Sequence, residues 1–243
     1  MSITFLPTQV DQLWGCQYRE ASDSPGPPNV KICYLEVTNL SDFAAQITHT
    51  VLDRSWMTSL DPLMHRAYDK TVAQTAAKLV QVFQKTTASG TLGADFGELM
   101  VSIGSAYTLE KIFSHIRIPI AELWKPQLSQ NEGFDFHTSC PAEIVNFGEA
   151  KFSSSVNAYT LAISQAESFV DDEKHYRDAV HLRNLVSSNC LTNFAGNQFG
   201  MVAAFSINSN NPEKILENAA KSAATLAAKN KVTNIYLVGV TNV

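Results

Sequence analysis

The chain has 243 residues, 45% of them hydrophobic and 17% charged, which is ordinary for a globular protein with a buried core. The length suits one large domain, or one domain with a substantial extension. No apolar run approaches the roughly 20 residues that span a bilayer, and the first residues lack the basic and apolar regions of a secretory signal. These features argue against a membrane protein and predict a cytoplasmic location.

The charge balance is mildly acidic, with a net charge of −5 from 18 Lys and Arg against 23 Asp and Glu. Affinity for nucleic acid comes largely from Lys and Arg that neutralise phosphates. A protein of this charge that acts on nucleic acid is therefore expected to need a local basic patch or a partner subunit. The candidates for such a patch are Lys111, Arg117, Lys125, Lys151, Lys174, Arg177 and Arg183. For each of these residues taken singly, a solvated charged surface is an equally good interpretation.

The first ninety residues predict an α/β unit. A Pro- and Gly-rich loop at 22–28 precedes a strand of β-forming residues at 30–37 and a helix at 42–52. From Tyr68 to Phe83 apolar residues recur at helical spacing, which predicts a helix facing the core. The polar stretch 86–93 predicts the end of that helix. We place a soft domain boundary there, between an N-terminal α/β extension (1–90), either separate from the core or integrated with it, and a core (91–243).

The core predicts the order α-β-β-β-α, one additional helix, then β-α-β. Its first helix (94–102) carries Glu98, and strands follow at 117–124, around Asp135 and at 142–152. Ser153 to Ser155 are good N-cap residues for a helix that reaches Val170. The remaining predicted elements are a helix at 174–186, a strand at 200–207, a helix that starts at Pro212, and a strand at 234–240.

The most informative motif is Asp135 followed, fourteen residues later, by Glu149-Ala150-Lys151. Residues two apart on a strand point to the same face, so Glu149 and Lys151 are expected to project together. Asp135 lies in a second short β-like stretch, close enough to pair with the first as a hairpin. Two carboxylates and one ammonium are then expected to converge.

Such a group suits a divalent metal beside a phosphodiester. Mg²⁺ or Mn²⁺ prefers hard oxygen ligands and retains several waters, and Asp135, Glu149 and the backbone carbonyl of Ala150 would supply them. Lys151, kept protonated by the carboxylates, is placed to orient water or to stabilise charge on the phosphate. A metal-dependent nuclease is the leading interpretation. Solvated strand positions are the plain alternative.

Two other residues near this motif carry open interpretations. Glu98 points away from the apolar stripe of its helix, which fits a third acid facing the cleft and a solvated position equally well. His137 should share the face of Asp135, where it would contact a phosphate or one of the metal ligands, but a surface histidine is the favoured interpretation. The chain lacks the Walker A, Gly-x-Gly-x-x-Gly and Gly-x-Ser-x-Gly motifs, so nucleotide hydrolysis, dinucleotide binding and serine esterase activity are not predicted.

Glu98, Gly133-Phe134-Asp135 and Gly148-Glu149-Ala150-Lys151, in this order of elements, resemble the PD-(D/E)XK nuclease superfamily. More narrowly, Phe-Gly-Glu-Leu on a helix followed by Phe-Gly-Glu-Ala-Lys-Phe is similar to the HamA effectors of Hachiman antiphage systems. The resemblance covers about residues 91–243. In place of the superfamily's Pro-Asp the chain has Phe134-Asp135, and the Gln-x-x-x-Tyr motif of one branch ends here in Phe169.

The resemblance implies a restriction-endonuclease-like core (αβββαβ, a mixed central sheet flanked by helices) and Mg²⁺-dependent cleavage of DNA. It also implies a superfamily 2 helicase partner, HamB-like, that holds the nuclease inactive until infection. By position, Asp135 and Glu149 would be metal ligands, Lys151 the catalytic lysine and Glu98 the acid on the helix. Two alternatives remain open: a non-catalytic DNA- or partner-binding subunit of a helicase complex, and a nuclease directed at RNA.

Overall fold

The computed structural model describes residues 3–23, 25–89, 92–124, 133–228 and 232–242. In these ranges the chain is α/β, with nine strands in one mixed sheet that runs β1-β3-β4-β9-β8-β7-β6-β5, while β2 pairs with β3. The strands are β1 Thr4–Phe5, β2 Gln9–Asp11, β3 Cys16–Asp23, β4 Val30–Val37, β5 Ile116–Arg117, β6 Phe136–Ser139, β7 Val145–Lys151, β8 Gly200–Ser206 and β9 Ile235–Asn242.

Helices cover both faces of this sheet. They are α1 Leu40–Leu52, α2 Pro62–Ser89, α3 Ala94–Phe113, α4 Ala121–Trp124, α5 Tyr159–Asp171, α6 Ala179–Leu182, α7 Ser188–Ala195, α8 Pro212–Ser222 and α9 Ala224–Ala228, with 3-10 helices at Ser55–Ser59 and Lys174–Asp178. One apolar core lies between the sheet and α1 to α4, and a second lies between the sheet and α5 to α9. None of the helices in the described ranges is long and apolar enough to cross a membrane.

The middle of the sheet is parallel, because β4, β9, β8 and β7 all run in the same direction. Helices on both faces bury such strands completely, and every residue of β8 is accordingly buried. Beyond β7 the sheet becomes antiparallel through β6 and β5. β7 therefore pairs in parallel with β8 on one side and forms an antiparallel hairpin with β6 on the other.

The first ninety residues share this sheet with the rest of the chain. β4 pairs with β9 along its whole length, from Val30 beside Ile235 to Val37 beside Asn242. Phe43 of α1 and Phe83 of α2 belong to the same apolar core as Phe96 of α3. The sheet and this core therefore continue across residue 90.

Several predicted elements are confirmed. β4 has the predicted bounds, and the strands predicted at 200–207 and 234–240 are β8 and β9. The apolar face from Tyr68 to Phe83 is buried in α2. α8 begins at Pro212, with Asn211 as an N-cap that accepts a hydrogen bond from the amide of Lys214, as expected where proline fills the first helical position. α2 itself continues to Ser89, into the stretch predicted to end it.

The strand predicted at 117–124 is wrong. The strand paired with β6 ends at Arg117, and Ala121–Trp124 forms one turn of helix. Pro119 has no N–H for a sheet ladder, and its carbonyl instead accepts a hydrogen bond of 2.7 Å from the indole of Trp124. This local bond closes the chain into a turn.

The predicted helix starting after Ser153 is also wrong at its beginning. The Ser153 hydroxyl accepts hydrogen bonds from the amides of Ser155 and Val156, which makes a local turn of the kind that competes with a helix. α5 starts only at Tyr159. The single helix predicted at 174–186 is divided into a 3-10 helix and α6, and α7 was not predicted.

Candidate active site

The predicted hairpin is present, and it fixes the position of Asp135. Phe136 of β6 lies opposite Gly148 of β7. Gly148 leaves room for the Phe136 ring, since a Cβ there would overlap that ring. Asp135 precedes β6 by one residue, and its amide donates to the Gly148 carbonyl over 2.9 Å. Asp135 is therefore held beside the last residues of β7.

Glu149 and Lys151 project together from the end of β7, as predicted. Lys151 Nζ lies 2.6 Å from Glu149 Oε1, with the Glu149 side chain 1% exposed and that of Lys151 22% exposed. Their neighbours in register are Ala203 and Phe205 of β8, which belong to the core beneath α5. The pair thus lies on the α5 side of the sheet, at the carboxyl end of a strand, where α/β sheets usually bind ligands.

Asp135 is fixed to the strand that carries this pair. Its Oδ2 accepts a hydrogen bond of 2.7 Å from the amide of Ala150. The amide and carbonyl of a strand residue point to the same neighbour, so the Ala150 carbonyl also points toward the Asp135 side. One carboxylate and one backbone carbonyl therefore lie next to the Glu149–Lys151 pair.

α3 brings Glu98 to the same region. The helix crosses closely over the end of β7, because Gly97 has no Cβ and a Cβ there would overlap the ring of Phe152. Glu98 is exposed. Burial nevertheless raises the pKa of its carboxyl, Lys151 lowers it, and Asp135 and Asp95 raise it, with a net increase. Glu98 therefore interacts electrostatically with both Lys151 and Asp135.

Lys151 is the common partner of the three acids. Burial alone would lower the pKa of its ammonium, but the charge and hydrogen bond of Glu149, followed by the charges of Asp135 and Glu98, hold that pKa above its ordinary value. Opposite charges nearby favour the charged form. Lys151 is thus a cation at neutral pH, as the sequence predicted.

His137 is a buried residue, so the prediction of a surface histidine is wrong. Its Nε2 lies 2.9 Å from Asp178 Oδ2, and that oxygen also accepts from the amide of Phe134 over 3.4 Å. Asp178 therefore contacts residues on both sides of Asp135. It was missed because it lies 41 residues from His137, in a 3-10 helix, and no local motif connects the two.

The proposed basic residues are mostly paired with acids. Lys111 lies 3.9 Å from Asp11, and Arg117 lies 3.0 Å from Glu110. Lys125 lies outside the described residues. Lys174 contacts Asp172 at 4.0 Å. These pairs offset charge that a phosphate backbone would otherwise meet.

The donor chemistry suits a hard divalent cation. Asp135, Glu149 and the Ala150 carbonyl are oxygen donors of the kind that Mg²⁺ and Mn²⁺ prefer. In the described ranges, no three His, Cys, Asp or Glu residues form a group that could hold a metal ion. Asp135, Glu149 and the Ala150 carbonyl supply only two acidic side chains, so they fall outside that definition. The residues fit the ion by the chemistry of their oxygen atoms, without forming a preassembled cage.

Searches against protein-family models, curated proteins and solved structures find no match to this chain.

Proposed function

We propose that the chain is a metal-dependent deoxyribonuclease that hydrolyses phosphodiester bonds. The observation behind the proposal is the buried Glu149 carboxylate 2.6 Å from the Lys151 ammonium, with Asp135 and Glu98 acting on the same ammonium. A buried acid and lysine at the end of a strand, beside two further acids, suit metal and phosphate chemistry better than they suit stability alone.

The order of the elements supports the same proposal. α3 is followed by the antiparallel strands β5, β6 and β7, then by α5, and then by β8 parallel to β7. With α4 between β5 and β6 and further short helices between α5 and β8, this order is compatible with the αβββαβ arrangement that the resemblance implies. Glu98 is in α3, Asp135 immediately precedes β6 and Glu149 is near the end of β7, the same order in which the resemblance assigns the acids.

Each residue then has a distinct role. Lys151 holds its proton at Nζ and stabilises negative charge that develops on the scissile phosphate. Asp135 is oriented by the Ala150 amide, and Glu149 is oriented by Lys151. Glu98, on α3, interacts electrostatically with Lys151 and Asp135 and is the candidate for a further acid at the site.

Asp135, Glu149 and the Ala150 carbonyl would hold Mg²⁺ or Mn²⁺, with Glu98 as a further ligand through its carboxylate. The bound ion would polarise a phosphoryl oxygen and lower the pKa of a bound water. Glu149 would then be shared between the ion and Lys151.

The direct test is cleavage of double-stranded and single-stranded DNA, with an RNA substrate alongside, in Mg²⁺ or EDTA. Glu149→Gln and Lys151→Met should each reduce cleavage by about a hundredfold or more. Lys214→Met is the control, because Lys214 is also paired with an acid, Glu217 at 3.2 Å, and is not among the basic residues proposed to contact nucleic acid. Full cleavage by both site variants would refute the proposal. Preferential cleavage of RNA would change the proposed substrate from DNA to RNA.

A non-catalytic subunit that binds DNA or a partner is the second candidate function. The lack of a preassembled group of metal ligands in the described ranges and the net charge of −5 favour it. In that case the complex with its partner would show no metal-dependent cleavage, and Glu149→Gln would change stability alone.

We also propose a role in antiphage defence, in which a superfamily 2 helicase restrains the nuclease until infection. The support is the resemblance to HamA effectors and an acidic charge that suits a subunit relying on its partner for DNA affinity. Phage plating on cells with the chain and a neighbouring helicase gene tests this role. Protection should require both proteins and Lys151.

A further inference from the structure

The fold contains a cavity of about 330 Å³, and Asp135, Glu149 and Glu98 are not among the residues that line it. It is bounded by α1, the 3-10 helix Ser55–Ser59, α3, β5 and the turn that leads to α4. Its volume is within the range of about 300–1,000 Å³ typical of ligand pockets, and it is roughly twice the 150 Å³ cavity that binds benzene in an engineered protein. It is therefore large enough for a two-ring molecule.

The wall of this cavity is mostly apolar. It includes Ile103 and Ala106 of α3, and Ile118, Ile120 and Leu123 from the turn after β5. Ile103, Ala106 and Leu123 belong to the core between the sheet and α1 to α4. An apolar body would replace water against these side chains favourably.

Three residues that line the cavity have a buried nitrogen with no hydrogen-bond partner anywhere in the described part of the chain: Trp56 Nε1, His115 Nε2 and Arg117 Nη1. More than nine in ten buried polar groups in proteins have a partner. Three such nitrogens at one cavity point to a hydrogen-bond partner other than the described residues.

Each of the three groups has a defined chemistry. Trp56 and Arg117 can only donate. His115 is 2% exposed, and its Nδ1 is already bonded to Thr138 Oγ1 at 2.9 Å. Burial, followed by the charge of Lys31, lowers the pKa of His115 to about 4, so the imidazole is neutral at pH 7. The missing partner of Trp56 and Arg117 is therefore a hydrogen-bond acceptor, and His115 Nε2 donates to the same acceptor in the tautomer whose Nδ1 accepts from Thr138.

The charges around the cavity are balanced and do not favour an anion. Arg117 is paired with Glu110 through its Nε at 3.0 Å, the exposed Asp53 also lines the wall, and the charge of Lys31 acts on His115. An anion would lose its water shell here without a net positive charge to meet it. An uncharged acceptor such as a carbonyl meets the donors at a smaller cost.

We propose that this cavity binds a small uncharged molecule with an apolar ring body and a carbonyl acceptor, at a site separate from the nuclease site. The proposal does not depend on nuclease activity. The turn that forms the wall is also bonded to the start of β6, because Ile118 donates to the His137 carbonyl and Ala121 donates to the Asp135 carbonyl, both over 3.1 Å. A bound ligand would thus contact the segment that positions Asp135.

The test uses two probes of the same size, 1-tetralone and tetralin, which differ in the ketone, with 1-naphthoate as the anion. Isothermal titration calorimetry on the full chain should show tetralone binding about five- to tenfold more tightly than tetralin, as one or two added hydrogen bonds allow. Naphthoate should bind more weakly than tetralone. Equal affinity for tetralone and tetralin, or tighter binding of naphthoate, would overturn the proposal.

Two variants locate the site. Ala106→Leu fills the cavity and should abolish tetralone binding, while Ala45→Leu, in the shallow groove between α1 and α2, should leave it unchanged. Trp56→Phe should weaken tetralone binding about threefold to tenfold without lowering the melting temperature of the free protein. Tetralone binding that survives Ala106→Leu, or ordered water alone in a crystal soaked with tetralone, would overturn the assignment.

Discussion

At the scale of single residues, the Glu149–Lys151 pair combines burial with opposite charge. A buried carboxylate is costly unless it is paired, and the 2.6 Å contact with Lys151 provides such pairing at the end of β7. The same contact keeps a cation at the end of β7, where the proposed function requires one. Stability and the proposed chemistry therefore depend on the same atoms.

Lys151→Met should destabilise the fold by about 1–3 kcal/mol, less than for a fully buried pair because the lysine is partly exposed. Adding Glu149→Gln should restore part of that loss, since the buried charge is then gone. Urea unfolding of both single variants and the double variant measures the coupling. Strictly additive effects would contradict a stabilising pair, and Lys174→Met should cost less than about 1 kcal/mol.

Glu98 gives a prediction about pH. Its folded pKa is raised above the ordinary value of 4.5, mainly by burial, so its contribution to stability is fully present below pH 4.5 and is lost as pH rises through the folded pKa. Glu98→Gln should therefore raise the melting temperature at pH 7 and leave it unchanged at pH 4. Thermal melts at the two pH values test this, and an equal shift at both would argue against it.

At the scale of elements, the close crossing of α3 over β7 determines where Glu98 lies. Gly97 allows the approach because the Phe152 ring occupies the space of its missing Cβ. Sequence patterns predicted a helix at 94–102 and a strand at 142–152. They did not predict the contact, because helix periodicity gives the buried face of a helix and not the element that packs on it.

Gly97→Ala should destabilise the protein, although alanine inside a helix normally adds about 0.5–1 kcal/mol of stability relative to glycine. The new methyl group would push α3 from Phe152 and move Glu98. Gly93→Ala is the matched control, because it lies at the N-cap of the same helix with no atom near the added Cβ. The free energy of unfolding measures both. If adding Phe152→Leu to Gly97→Ala restores part of the lost free energy of unfolding, the overlap between the new methyl group and the Phe152 ring is the cause.

At the scale of the whole molecule, the sheet unites the two ends of the chain. β9 lies between β8 and β4, so the strand near the carboxyl end depends on a strand from the first forty residues for half of its backbone pairing. Side chains of α1, α2 and α3 complete one apolar core.

Deletion of residues 1–90 should therefore prevent independent folding of 91–243. It would expose the edge of β9, which is buried from Ile235 to Val240, and exposed apolar edge strands aggregate. Size-exclusion chromatography and thermal melting of the truncated chain test this. A monomer with cooperative unfolding would show instead that 91–243 is a self-sufficient domain.

The sequence by itself determined the strongly periodic and apolar elements: β4, β8, β9, the core face of α2 and the start of α8 at Pro212. It also determined that Glu149 and Lys151 share a face, because the two-residue period of a strand is a local property. The strand predicted at 117–124 failed for a local reason, the bond from the Trp124 indole to the Pro119 carbonyl. Local rules failed because distant atoms decide in the segment from Lys174, whose residues His175 and Asp178 are buried in the fold.

Only the tertiary structure decided what surrounds the Asp135, Glu149 and Lys151 motif. The Ala150 amide orients Asp135, α3 delivers Glu98, and Asp178 contacts His137 and Phe134 beside the site. The cavity with its three buried nitrogens likewise depends on α1, α3 and β5 meeting. These contacts join residues that are distant in the chain, and their geometry depends on packing, which the local period of a sequence does not contain.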